Sequence, residues 1–191
     1  MDADNPKILT EAASNGKIDV LKQLLEDTTQ EETIQDLLNT AAWKSQISTV
    51  VFLLSKYPSV LLLEETIRAA IYSSSIDLFS TLLSKDSTII NHQFDRRGTP
   101  IALACMSKQP VEFLEFLLKA GADPNQDPDT APLPLVSVAA FYHDSRAAEL
   151  LLKHGAKLED SGALEMAMRR GNEVMVHFLT DYGMKSGEVE A

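Results

Sequence analysis

One arrangement recurs along the chain and limits its folding more than any other feature. A pair of small residues is followed by a short polar gap and then a leucine-rich run. It is read first in "AASNGKIDVLKQLLE" (12–26), "AAWKSQISTVVFLLS" (41–55) and "AIYSSSIDLFSTLLS" (70–84). It returns in "ACMSKQPVEFLEFLLKAGADPN" (104–125), "AAFYHDSRAAELLLKHGA" (139–156) and "AMRRGNEVMVHFLTDYGM" (167–184). The last position of each leucine run falls at Leu25, Leu54, Leu83, Leu118, Leu152 and Thr180, giving steps of 29, 29, 35, 34 and 28 residues. Repetition at that period marks a stacked array in which each unit buries its apolar face against its neighbours.

Each unit reads as two short helices. The small pair lets the first helices of neighbouring units approach within about 8–10 Å. Gly16 and Gly171 then supply the left-handed backbone that ends a helix, and His143 stands in that turn position as a residue more tolerant of the left-handed region than most. The second helix carries leucines at core spacing, as in "EFLEFLLKA" and "RAAELLLKH". Gly121, Gly155 and Gly183 are expected to stop it, with Pro124 preventing continuation.

"GTPIALA" (98–104) followed by "VEFLEFLLKAGADPN" (111–125) resembles an ankyrin repeat, and "LLKHGAKLED" (151–160) repeats its close. The resemblance extends over about residues 8–184. It implies an all-α fold, an ankyrin-type solenoid of about six stacked helix-turn-helix units with short or absent β-hairpin fingers. On this reading residues 1–191 form a single domain, with units near 8–27, 34–57, 63–88, 90–122, 123–156 and 157–184 and polar tails at 1–7 and 185–191. The family's Thr-Pro-Leu-His opening appears once, as Thr99-Pro100-Ile101-Ala102. Its histidine column is occupied here by Thr10, Asn39, Arg68, Ala102, Ser137 and Glu165, so other side chains must tie neighbouring units together or the ties are absent.

Aligning the units turns scattered residues into columns. The position after the small pair reads Ser14, Trp43, Tyr72, Met106, Phe141 and Arg169, and the next reads Asn15, Lys44, Ser73, Ser107, Tyr142 and Arg170. In ankyrin proteins the first of these positions looks out from the first helix onto the concave surface. The resemblance therefore implies that Trp43, Lys44, Tyr72, Met106, Phe141, Tyr142, Arg169 and Arg170 form a partner-binding stripe, in a groove on the order of 50 Å long. Aromatic anchors beside Arg and Lys are the usual composition of binding hot spots. The competing reading is that the rings fill gaps between units.

Composition narrows the partner. The net charge of −11 disfavours phosphate backbones and anionic lipid heads, so neither nucleic acid nor membrane is expected. The basic spots "DRRG" and "MRRG" suit acidic partner residues better. The acidic opening "MDADNPKILT" is unlike a signal peptide, and no apolar run approaches about 18 residues. A single cysteine, Cys105, fits a reducing compartment, cytoplasmic or nuclear, and no secretion.

Catalytic and metal chemistry find little support. Cys105 falls in the small-pair column with Ala13, Ala42, Ile71, Ala140 and Met168, so it reads as a buried hydrophobe. The four histidines scatter: His92 in a loop, His143 in a turn, His154 at a helix end and His177 on an outer surface. Asp123, Asn125, Asp127 and Asp129 alternate like a calcium loop, yet Pro128 and Pro134 stand where that loop requires glycine and glutamate. The expectation is a non-enzymatic, monomeric module without metal or cofactor that binds another protein. The alternative is small-molecule binding or catalysis in the aromatic groove.

Overall fold

The computed structural model describes residues 5–25, 31–125 and 133–187. These form two compact units, the first ending at Ile89 and the second beginning at Ile90. Each consists of three helix pairs, and the described residues contain no named β-strand.

In the first unit the pairs are α1 (Asn5–Ser14) with α2 (Ile18–Leu24), α3 (Glu31–Trp43) with α4 (Ile47–Lys56), and α5 (Glu64–Tyr72) with α6 (Ile76–Lys85). The first helices pack in the order α1, α3, α5 and the second helices in the order α2, α4, α6. The second unit repeats the scheme with α7 (Pro100–Met106) and α8 (Val111–Lys119), α9 (Leu135–Tyr142) and α10 (Ser145–Lys153), and α11 (Ala163–Arg170) and α12 (Glu173–Gly187). Here α7 packs on α9 and α9 on α11, while α10 bridges α8 and α12. A 3₁₀ turn covers Ser87–Asn91. This is the all-α, ankyrin-type solenoid expected from the repeat.

The small pair controls how closely the first helices approach. Ala12, Ala13, Ala41 and Ala42 in the first unit are buried, as are Ala104, Cys105, Ala139 and Ala140 in the second. The second helices bury a two-column stripe, Phe113, Leu114, Leu117 and Leu118 in α8 and Ala147, Ala148, Leu151 and Leu152 in α10. Positions i, i+1, i+4 and i+5 share one helix face, so a single stripe can meet both the partner helix and the next pair.

Helix starts follow capping chemistry where the sequence supplies it. The Ser75 hydroxyl accepts from the Leu78 N–H at 3.2 Å, and the Asp144 carboxylate accepts from the N–H groups of Arg146 and Ala147. Thr99 and Pro100 open α7, Pro100 at a position where its missing N–H costs nothing. The Thr99 hydroxyl oxygen itself is buried without a partner.

The turns inside the pairs are nearly uniform. Five contain one left-handed residue: Gly16 (φ 69°), Ser45 (52°), Ser74 (53°), Lys108 (58°) and Gly171 (69°). The sixth differs from expectation. His143 is extended, with φ −119° and ψ 179°, a backbone that sets its Nε2 2.9 Å from the Cys105 carbonyl. Gly121 (φ 101°) and Gly155 (91°) follow the ends of α8 and α10, as read from sequence. Gly183 does not end α12, which continues to Gly187. Its backbone is helical and a Cβ there would make only an ordinary contact with Leu158, at 3.9 Å, so this glycine does not terminate the helix. Likewise α1 begins at Asn5, inside the stretch read as a tail, with Pro6 in its first turn.

Fingers are short. Among the described residues the extended pairing is confined to Phe94 with Gly98, whose N–H···O contact is 2.9 Å. Neighbouring pairs of the second unit are tied mainly by two asparagines. Asn91 donates to the Gly121 carbonyl at 3.1 Å and accepts from the Asp123 N–H at 2.9 Å. Asn125, 34 residues later, repeats both bonds with Gly155 and Lys157, each at 2.9 Å.

Candidate functional site

The column after the small pair occupies the last turn of each first helix or the residue just beyond it, so its geometry is set by where that helix ends. In the first unit, Trp43 ends α3 and Tyr72 ends α5, and the two rings stack with centroids 6.1 Å apart and planes 15° from parallel. The indole Nε1–H donates to a Glu65 carboxylate oxygen at 3.2 Å. Trp43 remains 45% exposed and Tyr72 39%. The pair is therefore a fixed, solvent-facing surface and not core. Lys44 follows in the turn and is exposed.

Glu65 is held from two sides. Asn39, in the column where ankyrin repeats carry histidine, donates to Glu65 at 3.4 Å and accepts the Thr66 hydroxyl. Thus α3 and α5 are joined by a Trp43–Glu65–Asn39–Thr66 cluster in place of the histidine tie. The Ser137 hydroxyl serves the same end between α9 and the loop before α11, donating to the Ser161 carbonyl.

In the second unit, Phe141 and Tyr142 meet edge-to-face at 4.9 Å and 78°. The Arg170 guanidinium lies 5.5 Å from the Phe141 centroid, and the Lys108 ammonium 5.5 Å from that of Tyr142. Both distances permit cation–π attraction. Tyr142, Arg169, Arg170 and Met106 are exposed and Phe141 is partly covered. Lys108 was not singled out in the sequence, because it sits in the turn column beside small residues and its reach over Tyr142 depends on the left-handed turn.

His143 takes a structural position. Its Nε2 lies 2.9 Å from the Cys105 carbonyl, which fixes Nε2 as the protonated, donating nitrogen and ties the end of α9 to α7. The Cys105 thiol is fully buried, and burial pushes its pKa up to about 12. A thiol so placed has almost no thiolate at neutral pH. Burial works against charge on Asp144, but the hydrogen bond and charge of Arg146 and two backbone N–H groups outweigh it and hold the carboxyl below its usual range. His92 packs edge-on against Phe94, His154 caps the end of α10, and the exposed His177 has its Nε2 3.4 Å from an Asp181 carboxylate oxygen. Among the described residues no three His, Cys, Asp or Glu side chains gather as a metal site. Residues 126–130 of the acidic segment lie outside the described residues, while Asp123 accepts the Asn125 N–H at 2.8 Å.

A cleft of about 440 Å³ lies elsewhere in the second unit, between residues 158–164 and 179–184, and none of the aromatic-column residues lines it.

Residues 98–128 match the family model for the ankyrin repeat. An ankyrin repeat domain from Acinetobacter baumannii AYE aligns over 92% of this chain and 97% of its own, with a TM-score of 0.71 and 20% identity. The chain carries an ankyrin repeat in an ankyrin-type fold. Two more solved chains share the fold at 20% identity. The ankyrin repeat domain of human ASB11 aligns with a TM-score of 0.60, covering 90% of this chain and 96% of that one. A chain from the complex of a Bdellovibrio bacteriovorus predatory endopeptidase with an immunity protein aligns with a TM-score of 0.65, covering 91% and 96%. In sequence, the human transient receptor potential cation channel subfamily A member 1 is 26% identical over 183 residues. That match covers 90% of this chain and 16% of the channel's length. The ankyrin match in the family model falls on the Thr99-Pro100 opening and the Gly121 close, where the chain follows the family's pattern best. None of the described helices is long and apolar enough to cross a membrane.

Proposed function

We propose that this chain is a protein-recognition module that docks a partner through the ends of its first helices. Trp43, Tyr72 and Lys44 would form one contact patch, and Met106, Phe141, Tyr142, Arg169 and Arg170 another. One observation carries the reading. Trp43 is exposed and Phe141 partly so, and both are held by neighbours, Trp43 by stacking and by its bond to Glu65 and Phe141 by its contacts with Tyr142 and Arg170. Preorganised aromatic anchors lose little freedom on binding, which is what makes them hot spots. Ankyrin repeats generally bind other proteins, and one structural neighbour comes from an endopeptidase complex with an immunity protein. The action is stoichiometric: the partner is sequestered, scaffolded or inhibited. A cytoplasmic or nuclear setting fits the single buried thiol.

The test is affinity capture from native extract, with wild type beside the Trp43→Ala, Phe141→Ala double variant. Each anchor is expected to contribute about 2 kcal/mol, roughly thirtyfold in affinity. The partner should be lost from the variant while its melting temperature stays within a few degrees of wild type. A collapse in melting temperature would make the rings core. Unchanged capture would place the interface elsewhere.

A further inference from the structure

The inner helices of this fold carry two apolar columns, one facing the preceding first helix and one facing the next. The column toward the preceding helix is identified by α11, which packs on α9 and α12 and buries Ala163 and Ala167. The bond from Thr66 of α5 back to Asn39 of α3 marks the same side. The opposite column is Leu9 and Ala13 in α1, Leu38 and Ala42 in α3, Ile101 and Cys105 in α7, and Val136 and Ala140 in α9. All eight are buried, and each of these helices has a following first helix in its own unit. In α11 the same column is Leu164 and Met168, and these are 38% and 59% exposed. Leu164 also lines the cleft of about 440 Å³ together with Leu158, Leu179 and Met184. Among the described residues this column of α11 therefore carries the apolar side chains of a covered face without being covered.

Within the repeat such a face is covered by the first helix of the next pair, through a residue four positions before an alanine: Leu37 and Ala41 of α3, Thr66 and Ala70 of α5, Leu135 and Ala139 of α9, and Ala163 and Ala167 of α11. The same column in α1 is Ile8 and Ala12, and Ile8 is 46% exposed. Charge agrees with the register. Asn39 of α3 bonds Glu65 of α5, and the aligned positions are Glu165 in α11 and Lys7 in α1, both exposed. Stacking α1 of one molecule on α11 of another therefore sets Lys7 against Glu165.

We infer that the Leu164–Met168 face of α11 docks the Ile8–Ala12 face of α1 from a second copy of this chain, extending the stack head to tail. The contact uses two different surfaces, so a pair of copies still leaves one of each face free, and association grows with concentration into a chain or a ring. It shares none of the proposed partner anchors, so its failure would leave the partner reading untouched.

Sedimentation of the full chain from low micromolar to several hundred micromolar tests it. The weight-average mass should climb past that of a dimer. Ile8→Glu and Met168→Glu change exposed positions and should each sediment as single chains, folded by circular dichroism. Mixed, they should form a one-to-one pair, because each retains the face that the other lacks. Lys7→Glu should weaken association roughly two- to fivefold, and adding Glu165→Lys should restore it. A wild-type mass fixed at one chain over the whole range would overturn the inference. So would self-association of wild type with no pairing in the mixture, since that is the behaviour of a symmetric contact.

Discussion

Cys105 illustrates how a column fixes a residue's chemistry. Its neighbours in the aligned units are mostly alanines, its side chain is fully buried, and burial raises its pKa to about 12. In the unfolded chain a thiol ionises near 8.5. The folded value is the higher one, so the stability it contributes is fully present below the unfolded value and is lost as pH rises toward 12. Denaturant titrations from pH 8 to 11 should show falling stability, and Cys105→Ala should flatten that fall while changing stability at pH 7 by only about 1 kcal/mol. An alkaline decline equally steep in the variant would assign it to other groups. Wild type should react with thiol reagents only as it unfolds. This residue was legible from sequence because its column was. His143 was not. Its place in a turn could be read, but its bond to the Cys105 carbonyl goes with an extended backbone, and the column of left-handed residues gave no sign of that.

Within a helix pair, the turn residue decides the local stability. Ser45 holds a left-handed conformation that costs a side-chain-bearing residue about 1 kcal/mol or more. Ser45→Gly should therefore stabilise the fold by about 0.5–1 kcal/mol in equilibrium denaturation. The two native glycines should respond unequally to alanine. At Gly171 the added Cβ meets nothing within 4 Å, so the loss should be the backbone cost of about 1 kcal/mol. At Gly16 it would lie 2.6 Å from Gln46 Oε1, whose amide donates to the Ser14 carbonyl, so Gly16→Ala should be the more damaging substitution. Equal losses would mean that Gln46 moves aside freely. Glycine at these turns was readable from sequence. That Ser45, Ser74 and Lys108 adopt the same backbone was not read from sequence, because serine and lysine carry no marked preference for it. Gly183 shows the reverse error, a glycine taken for a stop that lies within α12.

For the molecule, the repeat period predicted the helix pairs and their order, because periodicity follows from side-chain spacing alone. It did not predict the ties between pairs, which rest on individual polar contacts with no spacing rule. The family histidine is replaced by a carboxylate–amide cluster at Glu65 and Asn39, by Ser137, and by the paired bonds of Asn91 and Asn125. A signal was present, two asparagines 34 residues apart, but an asparagine near a loop has many uses. Asn125→Ala removes two bonds at once and leaves the Gly155 carbonyl and the Lys157 N–H to water, since all three residues are exposed. The expected loss is about 1–2 kcal/mol by chemical denaturation, and Asn125→Asp should recover only the bond from Lys157. No change in either variant would show that solvent replaces the clamp without cost.

The chain contains one tryptophan, and the stacked, carboxylate-bound setting of Trp43 gives that fact an optical consequence. Its emission samples a single spot on the first unit. A ligand seated there would shift the spectrum directly, whereas an event confined to the second unit would leave it dark to the fluorimeter.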